Sequence, residues 1–350
     1  MTLESQTATE LSAPQRERAS INDVARRAGV SAQTVSRVAN RMNNVRPATR
    51  ERVLAAMAEL NYRPNSAARN LKAGRFRSIG FVTFNLATFG NERTLSAVAE
   101  ASEAAGYTTT LLPVADPTQL DVVGAFGRLE EQAVDGIILV MSAEVGALDE
   151  LTMTAGLPLV IIDSDANLPY TIVDTDQEQG VSIALQHLFE LGHRDIVHIS
   201  GPASSYSATR RAEAYRRIMA ERGLPALEVH SGDWSAASGL ELGRQLLDAE
   251  HLPTAVFAAN DHMALGIMHA VHERGLRVPQ DISVIGFDDV EGAAEFWPAL
   301  STVHQNLDEV GRQATSLLLA LIDGEADEQQ KILVQTRLIV RDSTGPVRAG

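Results

Sequence analysis

From residue 78 onward the chain alternates short apolar runs with helical stretches, and this alternation constrains the fold more than any other feature. The runs are SIGFVTF, DGIILVM, LPLVIID, DIVHIS, TAVFAAN and ISVIGFDD. Runs that are apolar at nearly every position are typical of parallel strands covered on both faces. We therefore predict an α/β region. Because about 270 residues is long for one doubly wound sheet, we expect two lobes with a ligand between them.

The charge of the chain is divided unevenly along its length. The formal net charge is -15, but residues 1–77 hold 14 of the 30 Lys and Arg and only 6 of the 45 Asp and Glu. A basic segment favours contact with a polyanion such as DNA, and a solvated basic surface is the alternative. The polar start MTLESQTATE and the lack of a long apolar run indicate no secretory signal and no membrane span, so we expect a cytoplasmic protein.

The segment INDVARRAGVSAQTVSRVAN, residues 21–40, has the pattern of two short helices joined at a glycine. Apolar residues recur at helical spacing on both sides of Gly29. Gly29 tolerates the positive φ of a tight turn, and Ser31 is placed to cap the second helix. The pattern predicts a helix-turn-helix whose second helix can lie in a major groove. A small helical domain with a polar outer face is the alternative.

The second helix of this motif has a candidate DNA-reading face. We expect Val35, Val38 and Ala39 to pack inward. The outward positions are then Ala32, Gln33, Ser36 and Arg37. Gln pairs with adenine and Arg with guanine through two hydrogen bonds each, so this face can discriminate bases. Thr34 and Asn40 are expected to contact phosphates or to act as caps.

The segment RPATRERVLAAMAELNYRPN predicts a third helix. Pro47 suits its first turn, and an apolar stripe is expected to close the small core: Val53, Leu54, Met57 and Leu60. In the basic run NSAARNLKAGR that follows, Leu71 is the only large apolar residue. The run suits either a plain linker or a short helix that presents Leu71, beside Lys72, to a minor groove.

Polar residues follow several of the apolar runs. They are Asp163, Asn260, Asp261, Asp288 and Asp289. Ligands of open α/β sheets bind just beyond the carboxyl ends of the strands, so these side chains are expected to converge on one cleft. Helix capping, which favours Asp and Asn, is the alternative for each of them.

The segment SGDWSAASG holds Trp234, one of two Trp residues in the chain. A sugar has an apolar C–H face and a rim of hydroxyls, so its site combines an aromatic ring with planar polar groups. Arg211 offers a guanidinium donor, and the carboxylates and amides at strand ends offer acceptors. We therefore expect a sugar site, with a core Trp that meets no ligand as the alternative.

These motifs together resemble a known family. Residues 20–75, through VARRAGVSAQTVSRVAN, TRERVLAAMAELNYRPN and ARNLKAG, closely resemble the headpiece of the lactose-repressor (LacI/GalR) family of bacterial transcriptional regulators. The likeness extends to about residue 343 through GDWSAASG, PTAVFAANDHMALG, LRVPQDISVIGFDD and PALSTVHQN. It implies an all-α helix-turn-helix headpiece followed by an α/β, two-lobed, periplasmic-binding-protein-like (type I) sensor with parallel sheets.

The resemblance also implies a domain plan. The expected parts are a disordered extension (1–18), the headpiece (19–63), a hinge helix (64–77), the sensor (78–345) and a tail (346–350). Within the sensor, the first lobe is expected at about 78–175 and 307–334, and the second at about 177–305 and 336–345.

The residue pattern and the resemblance together give two expected binding sites, of which the sugar site is carried over residue by residue. The expected operator-contacting positions are Ala32, Gln33, Thr34, Ser36, Arg37, Asn40, Arg46, Leu71 and Lys72. The expected sugar-contacting positions are Asp163, Arg211, Trp234, Asn260, Asp288 and Gln305. The implied partners are double-stranded operator DNA, a sugar or glycoside effector of galactoside or glucoside type, and a second copy of the chain, with no membrane, metal or cofactor.

The sequence departs from the family pattern in three places. Arg46 stands where a Ser cap often starts the third helix. The stretch NLATFGNERT, with Phe89 and Asn91, differs at the border of the cleft, which leaves the sugar's second ring or aglycone open. The end VRDSTGPVRAG has no leucine heptads for a four-helix joint, so we expect a dimer.

Other functions fit the sequence less well. It has no G-x-S-x-G elbow, no H-E-x-x-H, no P-loop and no cysteine, and its nine His show no metal-ligand spacing, so we do not expect an enzyme. Asp163 and Asp288 resemble a glycosidase pair, but the Arg and Asn grouped with them favour binding. A secreted sugar-binding protein has no use for residues 20–75. Corepressor action, as in purine-responsive members of the family, is the alternative mechanism to induction.

Overall fold

The computed structural model describes residues 19–39, 42, 44–62, 75–84, 86, 88–114, 119–141, 156–164, 169–227, 230–326 and 329–347. The chain divides into two compact units, Met1–Arg75 and Phe76–Gly350. We call the described part of the first unit the head and that of the second the sensor. The expected extension of residues 1–18 lies outside the described residues, as do Asn40, Leu71 and Lys72.

The head consists of three helices, α1 (Ile21–Ala28), α2 (Ala32–Ala39) and α3 (Pro47–Glu59). Gly29 ends α1 with a φ of 64°, a left-handed conformation that costs glycine little. The backbone N–H of Thr34 donates to Oγ of Ser31 over 3.2 Å, so Ser31 caps α2. Both features agree with the sequence, and the helix-turn-helix is confirmed.

The core of the head includes Val24, Val35 and Val53, whose side chains are fully buried. One expectation about this core needs correction. Leu54 was expected in the inner stripe of α3 but is 51% exposed, and Ala56 takes the inner position. Residues 53, 56, 57 and 60 share one helix face at spacings of three and four, whereas position 54 lies beside that face.

The first sheet of the sensor is entirely parallel. In chain order its strands are β1 (Ser78–Thr83), β2 (Thr108–Pro113), β3 (Gly136–Val140), β4 (Leu159–Ile162), β5 (Thr171–Thr175) and β11 (Lys331–Val334). They lie side by side in the order β11-β5-β4-β3-β1-β2. Every residue of β3 is buried, as expected for a run covered on both faces.

The second sheet has the same size. Its strands are β6 (Ile196–Ser200), β7 (His230–Ser231), β8 (Ala255–Ala258), β9 (Ser283–Asp288), β10 (Ser301–His304) and β12 (Arg337–Ile339), in the order β12-β10-β9-β8-β6-β7. All pairs are parallel except β10 with the edge strand β12. The α/β architecture with parallel sheets is therefore confirmed.

Helices pack on both sheets. Those with the first sheet are α4 (Phe89–Ala104), α5 (Gln119–Glu131) and α10 (Leu307–Asp323), and those with the second are α6 (Gln177–Glu190), α7 (Tyr206–Glu221), α8 (Ala236–Leu247) and α9 (Asp261–Glu273). We call each sheet with its helices a lobe. Among the described residues, no helix is long and apolar enough to cross a membrane.

The chain passes between the two lobes three times. The passages lie between β5 and α6, between β10 and α10, and between β11 and β12. Side chains at these crossings bond to one another. Nε2 of Gln335 donates to Asp176 over 3.1 Å, and Gln179 accepts from the backbone N–H of Thr336 over 2.9 Å. The third crossing is thereby tied to the first.

Candidate functional site

A cleft of about 310 Å³ opens in the sensor and is lined from both lobes. Cavities of roughly this size and above hold small organic ligands. The six positions carried over from the sequence, which are Asp163, Arg211, Trp234, Asn260, Asp288 and Gln305, all line this one cleft. They come from the carboxyl ends of strands, from α7 and from the second crossing, so the fold gathers residues that lie up to 142 positions apart in the chain.

Arg211 is the central cation of the cleft. It lies in α7 and is only 3% exposed. Nε donates to Oε1 of Gln177 over 2.8 Å, and Nη1 donates to the carbonyl of Ala259. A guanidinium has five N–H groups, so donors remain for a ligand beyond these two bonds. Its Cζ also lies 3.8 Å from the centroid of the Phe287 ring, and this stacking fixes the plane of the fork.

Asp288 is the acceptor that faces Arg211. Its Oδ1 accepts a hydrogen bond from Nε2 of Gln305 over 2.6 Å and lies 4.0 Å from Nη1 of Arg211. Burial raises the pKa of Asp288 to about 6, although the Arg211 charge and the Gln305 bond act to lower it. The φ of Asp288 is 119°, an unfavourable conformation of the kind found at functional sites.

Trp234 supplies an aromatic wall to the cleft. Its φ is 73°, which is rare for a bulky residue. A Cβ placed on Gly201, just after β6, would lie 2.4 Å from the indole ring, so the ring rests directly on the glycine backbone. The ring packs partly against the core of the second lobe and also lines the cleft. Trp234 is thus both a packing residue and a candidate platform for a ligand.

Asn260 combines the two roles that the sequence left open. Its Oδ1 accepts from the backbone N–H of Met263 over 2.9 Å and so caps α9. Its Nδ2 donates to the carbonyl of Trp234 over 3.0 Å, which supports the strained backbone there. Asn260 therefore holds the aromatic wall in place while it lines the cleft.

Two of the strand-end carboxylates do not join the cleft. Asp261 is fully buried and accepts from Oγ1 of Thr302 and from the backbone N–H of Val290. Asp289 accepts from Nη2 of Arg341 over 2.7 Å. The expectation that all five strand-end residues converge is therefore wrong for these two, because the backbone turns their side chains into the body of the second lobe.

Sequence reasoning missed several residues that line the same cleft, among them Asp174, Gln177 and Ser207. Gln177 bonds Arg211 and also donates from Nε2 to Oε1 of Gln305 over 3.5 Å. Asp174 is the last residue but one of β5, and Gln177 begins α6 two residues after that strand ends. The strand-end rule would have found them, but TIVDT is too polar to stand out as an apolar run.

The first lobe contributes Phe89 and Asn91, near the start of α4, to the cleft. Asn91 is 5% exposed. Phe89 packs against the apolar core of the second lobe, so it bridges the mouth of the cleft from one lobe to the other. These are the two residues that the sequence singled out in the stretch that departs from the family pattern.

The head presents the expected polar face on α2. Gln33 is exposed and Arg37, one turn later, is half-exposed, as is Ser36. Oγ1 of Thr34 lies 3.0 Å from the hydroxyl oxygen of Ser31, so this side chain takes part in the cap of α2. Ala32 was expected to face outward, but it is half-buried and packs against the core of the head. Arg46 is exposed at the start of α3 and makes no capping bond with its side chain.

Comparison with known proteins identifies the family. Residues 20–65 match the model of bacterial regulatory proteins of the lacI family, and residues 185–344 match the periplasmic binding protein-like domain. The lactose operon repressor of Escherichia coli (strain K12) is 35% identical over 325 residues, which cover 92% of this chain and 89% of that protein. The chain belongs to the lacI family of bacterial regulatory proteins. As a member of that family it is a DNA-binding transcriptional repressor.

Other proteins show the same likeness over nearly the whole chain. The transcriptional repressor PurR of Salmonella arizonae is 38% identical over 344 residues, covering 94% of this chain and 98% of that protein. A structure of the lac repressor bound to ONPG in the repressed state has a TM-score of 0.88 at 34% identity, with 94% and 100% covered. The complex of the regulator CelR with cellobiose has a TM-score of 0.70 at 32% identity, with 93% and 100% covered.

Proposed function

We propose that this repressor is controlled by a neutral sugar or glycoside, of galactoside or glucoside type, that binds in the sensor cleft and releases the protein from its operator. The observation that carries the proposal is the convergence of a guanidinium, two carboxylates, two amides and an indole ring on one cleft of suitable size. Planar donors and acceptors around an aromatic wall match the hydroxyl rim and apolar face of a sugar ring. The relative CelR forms a complex with cellobiose, which supports a sugar as the effector.

The polar contacts also offer a route from the ligand to the crossings. Gln177 lies at the first crossing and bonds Arg211, and Gln305 lies at the second and bonds Asp288. A ligand that engages Arg211 and Asp288 therefore acts on side chains that join the lobes. If the sugar and the operator DNA favour different arrangements of the lobes, each must weaken the binding of the other by the same factor, typically about 5- to 150-fold.

We propose that Gln33 and Arg37 read bases in the major groove. They lie one turn apart on α2 and are the long polar side chains of its accessible face. Each can make a bidentate contact with one base. Thr34, Ser36 and Arg46 are proposed as contacts to the DNA backbone, with Asn40, Leu71 and Lys72 as further contacts outside the described residues. Two copies of the chain would grip a pseudo-palindromic operator, as in the dimeric lac repressor.

Corepression is the alternative to induction, because the transcriptional repressor PurR is also a relative of this chain. A corepressor would fill the cleft and tighten operator binding. The test has two steps, both with the full-length protein. A thermal-shift screen of galactosides, glucosides and purines finds the ligand, and operator affinity is then measured with and without it. Release by a sugar supports the proposal, tighter binding replaces induction by corepression, and a purine as the sole ligand overturns the sugar proposal.

A further inference from the structure

The cleft has a second acidic wall, on the side of the first sheet, that the contacts proposed above leave largely unused. Asp174, near the end of β5, is 3% exposed and lines the cleft. Asp163 follows β4, the strand next to β5, and lines the cleft beside it. Burial raises the pKa of Asp174, and the neighbouring charge of Asp163 raises it further. Two carboxylates on adjacent strands thus share one wall.

Arg210 fixes the orientation of Asp174. Its Nη1 donates to Oδ2 of Asp174 over 3.0 Å, and its Nη2 donates to the carbonyl of Ser164. The backbone N–H of Thr175 donates to Oδ1 of Asp174 over 2.7 Å. A carboxylate accepts about four hydrogen bonds, so about half of the accepting capacity of Asp174 is left for the cleft.

Asp163 has an acceptor that no part of the described chain uses. Its Oδ1 is buried and has no hydrogen-bond partner among the described residues. Buried polar atoms are nearly always paired in folded proteins. Asp163 also has a φ of 54°, a conformation that surrounding structure must enforce. An oxygen held in this way on the wall of a cleft is suited to accept from a donor on a ligand.

The balance of charge at the cleft indicates which ligands suit it. Among the described residues, the guanidinium of Arg211 has four carboxylates around it, those of Asp163, Asp174, Asp261 and Asp288, and Arg210 is a second guanidinium that acts on Asp163 and Asp174. When all these groups are ionised, the carboxylates outnumber the guanidinium groups by two. A donor group or a positive charge on the ligand stabilises this wall, whereas a ligand carboxylate adds like charge to it.

We propose that Asp174, held by Arg210, is a further effector-contacting residue, and that with Asp163 it forms an acceptor wall that selects effectors by their hydrogen-bond donors. This inference rests on the proposed function, because it places the wall inside the sugar cleft. The chemistry that the wall recognises is an O–H or N–H donor. Neutral sugars and amino sugars satisfy it, and uronic acids do not.

The test is calorimetric titration of the full-length protein. The probes are methyl β-glucoside, methyl β-galactoside, cellobiose and lactose, followed by the monodeoxy, amino and uronic acid analogues of the tightest binder. For the wild type we expect at least one deoxy analogue to bind about tenfold weaker or worse, since a buried acceptor then loses its donor, and the uronic acid to bind at least as weakly, since its carboxylate adds like charge to the wall. A tighter amino analogue identifies an ammonium at the wall, and an equal or weaker one identifies a hydroxyl.

Two variants assign this discrimination to Asp174. In Asp174→Leu/Arg210→Leu both charges are removed together, so neither is left buried and unpaired. This variant is expected to bind the parent sugar about tenfold weaker. It is also expected to lose the discrimination against one deoxy analogue and to keep the discrimination against the others. Asp174→Asn preserves shape and is expected to reduce the rejection of the uronic acid. Glu178→Gln, which removes an exposed carboxylate paired with Arg217, is the matched control.

The outcomes separate this inference from the function on which it rests. If no probe sugar binds the wild type, the proposed function fails and the inference fails with it. If sugars bind but both variants keep the wild-type discrimination, Asp174 does not contact the effector, and the sugar proposal stands. If the variants weaken every analogue by the same factor, Asp174 acts only through the structure of the wall, and this also overturns the inference.

Discussion

Nε2 of Gln305 donates a 2.6 Å hydrogen bond to Oδ1 of Asp288. Asp288 ends the buried strand β9, whereas Gln305 lies at the passage from β10 to α10, where the chain leaves one lobe for the other. Since both residues are at most 7% exposed, water competes little for this bond. The bond therefore joins the ligand cleft to the segment that must bend if the lobes rearrange.

Gln305→Leu is expected to weaken effector binding about tenfold, because a charged acceptor loses its donor in a buried site. It is also expected to reduce the effect of the effector on operator binding. Tryptophan fluorescence, to which Trp234 in the cleft contributes, reports the effector affinity, and operator titration with and without effector reports the effect on operator binding. Gln245→Leu, which changes an exposed glutamine on α8, is the control. Unchanged values for Gln305→Leu would remove this residue from the proposed route.

The raised pKa of Asp288 predicts a pH-dependent stability. The folded protein retains a proton there up to about pH 6, whereas the unfolded chain releases it near 3.8. Between these values the folded state binds more protons, so the contribution of Asp288 to the free energy of unfolding falls as pH rises. The half-buried His187 and the buried His193 and His198 have lowered pKa values and act in the opposite direction, so the wild type alone cannot isolate the effect.

The measurement is therefore the difference between Asp288→Asn and the wild type. From pH 4 to 6.5 the variant is expected to gain stability relative to the wild type, on the order of 3 kcal/mol for a shift of this size. Urea denaturation across this range gives the two curves. A difference that stays constant with pH would contradict the raised pKa of Asp288.

The packing of the Trp234 ring on Gly201 gives a steric prediction. Gly201→Ala places a methyl group where the indole ring lies, 2.4 Å from its nearest atom. The ring must move, so we expect a loss of about 1–3 kcal/mol in stability and at least tenfold weaker effector binding. Gly127→Ala in α5 is the matched change, because nothing lies within 4 Å of its Cβ. It is expected to raise the free energy of unfolding by about 0.5–1 kcal/mol and to leave the effector affinity unchanged. Thermal unfolding measures the first quantity, and titration with the effector measures the second. Wild-type affinity in Gly201→Ala would show that the ring does not contact the effector.

The sequence predicted elements best where local pattern and burial coincide. The apolar runs that became β1, β3, β4, β6, β8 and β9 were recognised because both their faces are covered. β5 and β10 were not, because threonine, serine or aspartate interrupts the apolar pattern of each of these strands. The same limit concealed Asp174 and Gln177, which are identified only once β5 is known to end beside the cleft.

The local sequence does not show which of the polar side chains at the strand ends lines the cleft. Asp288 and Asp289 are adjacent and of one type, yet one lines the cleft and the other pairs with Arg341. Both have positive φ, and the direction of each side chain follows from that backbone path, which neighbouring elements impose. In the head, likewise, the helices were predictable from periodicity and capping, but the half-burial of Ala32 depends on how α2 packs.

Arg37→Ala tests the proposed base-reading face. The change removes the donor fork of a half-exposed side chain on α2, so the helix itself is expected to remain stable. Because a bidentate contact to one base discriminates by about 1–3 kcal/mol, operator affinity should fall about 10- to 100-fold, and specificity should relax at one base position. Effector affinity should stay at the wild-type value. Arg217→Ala, which removes an exposed arginine of the sensor, is the control for the loss of one positive charge. Equal weakening on every DNA sequence would instead indicate that Arg37 contacts a phosphate.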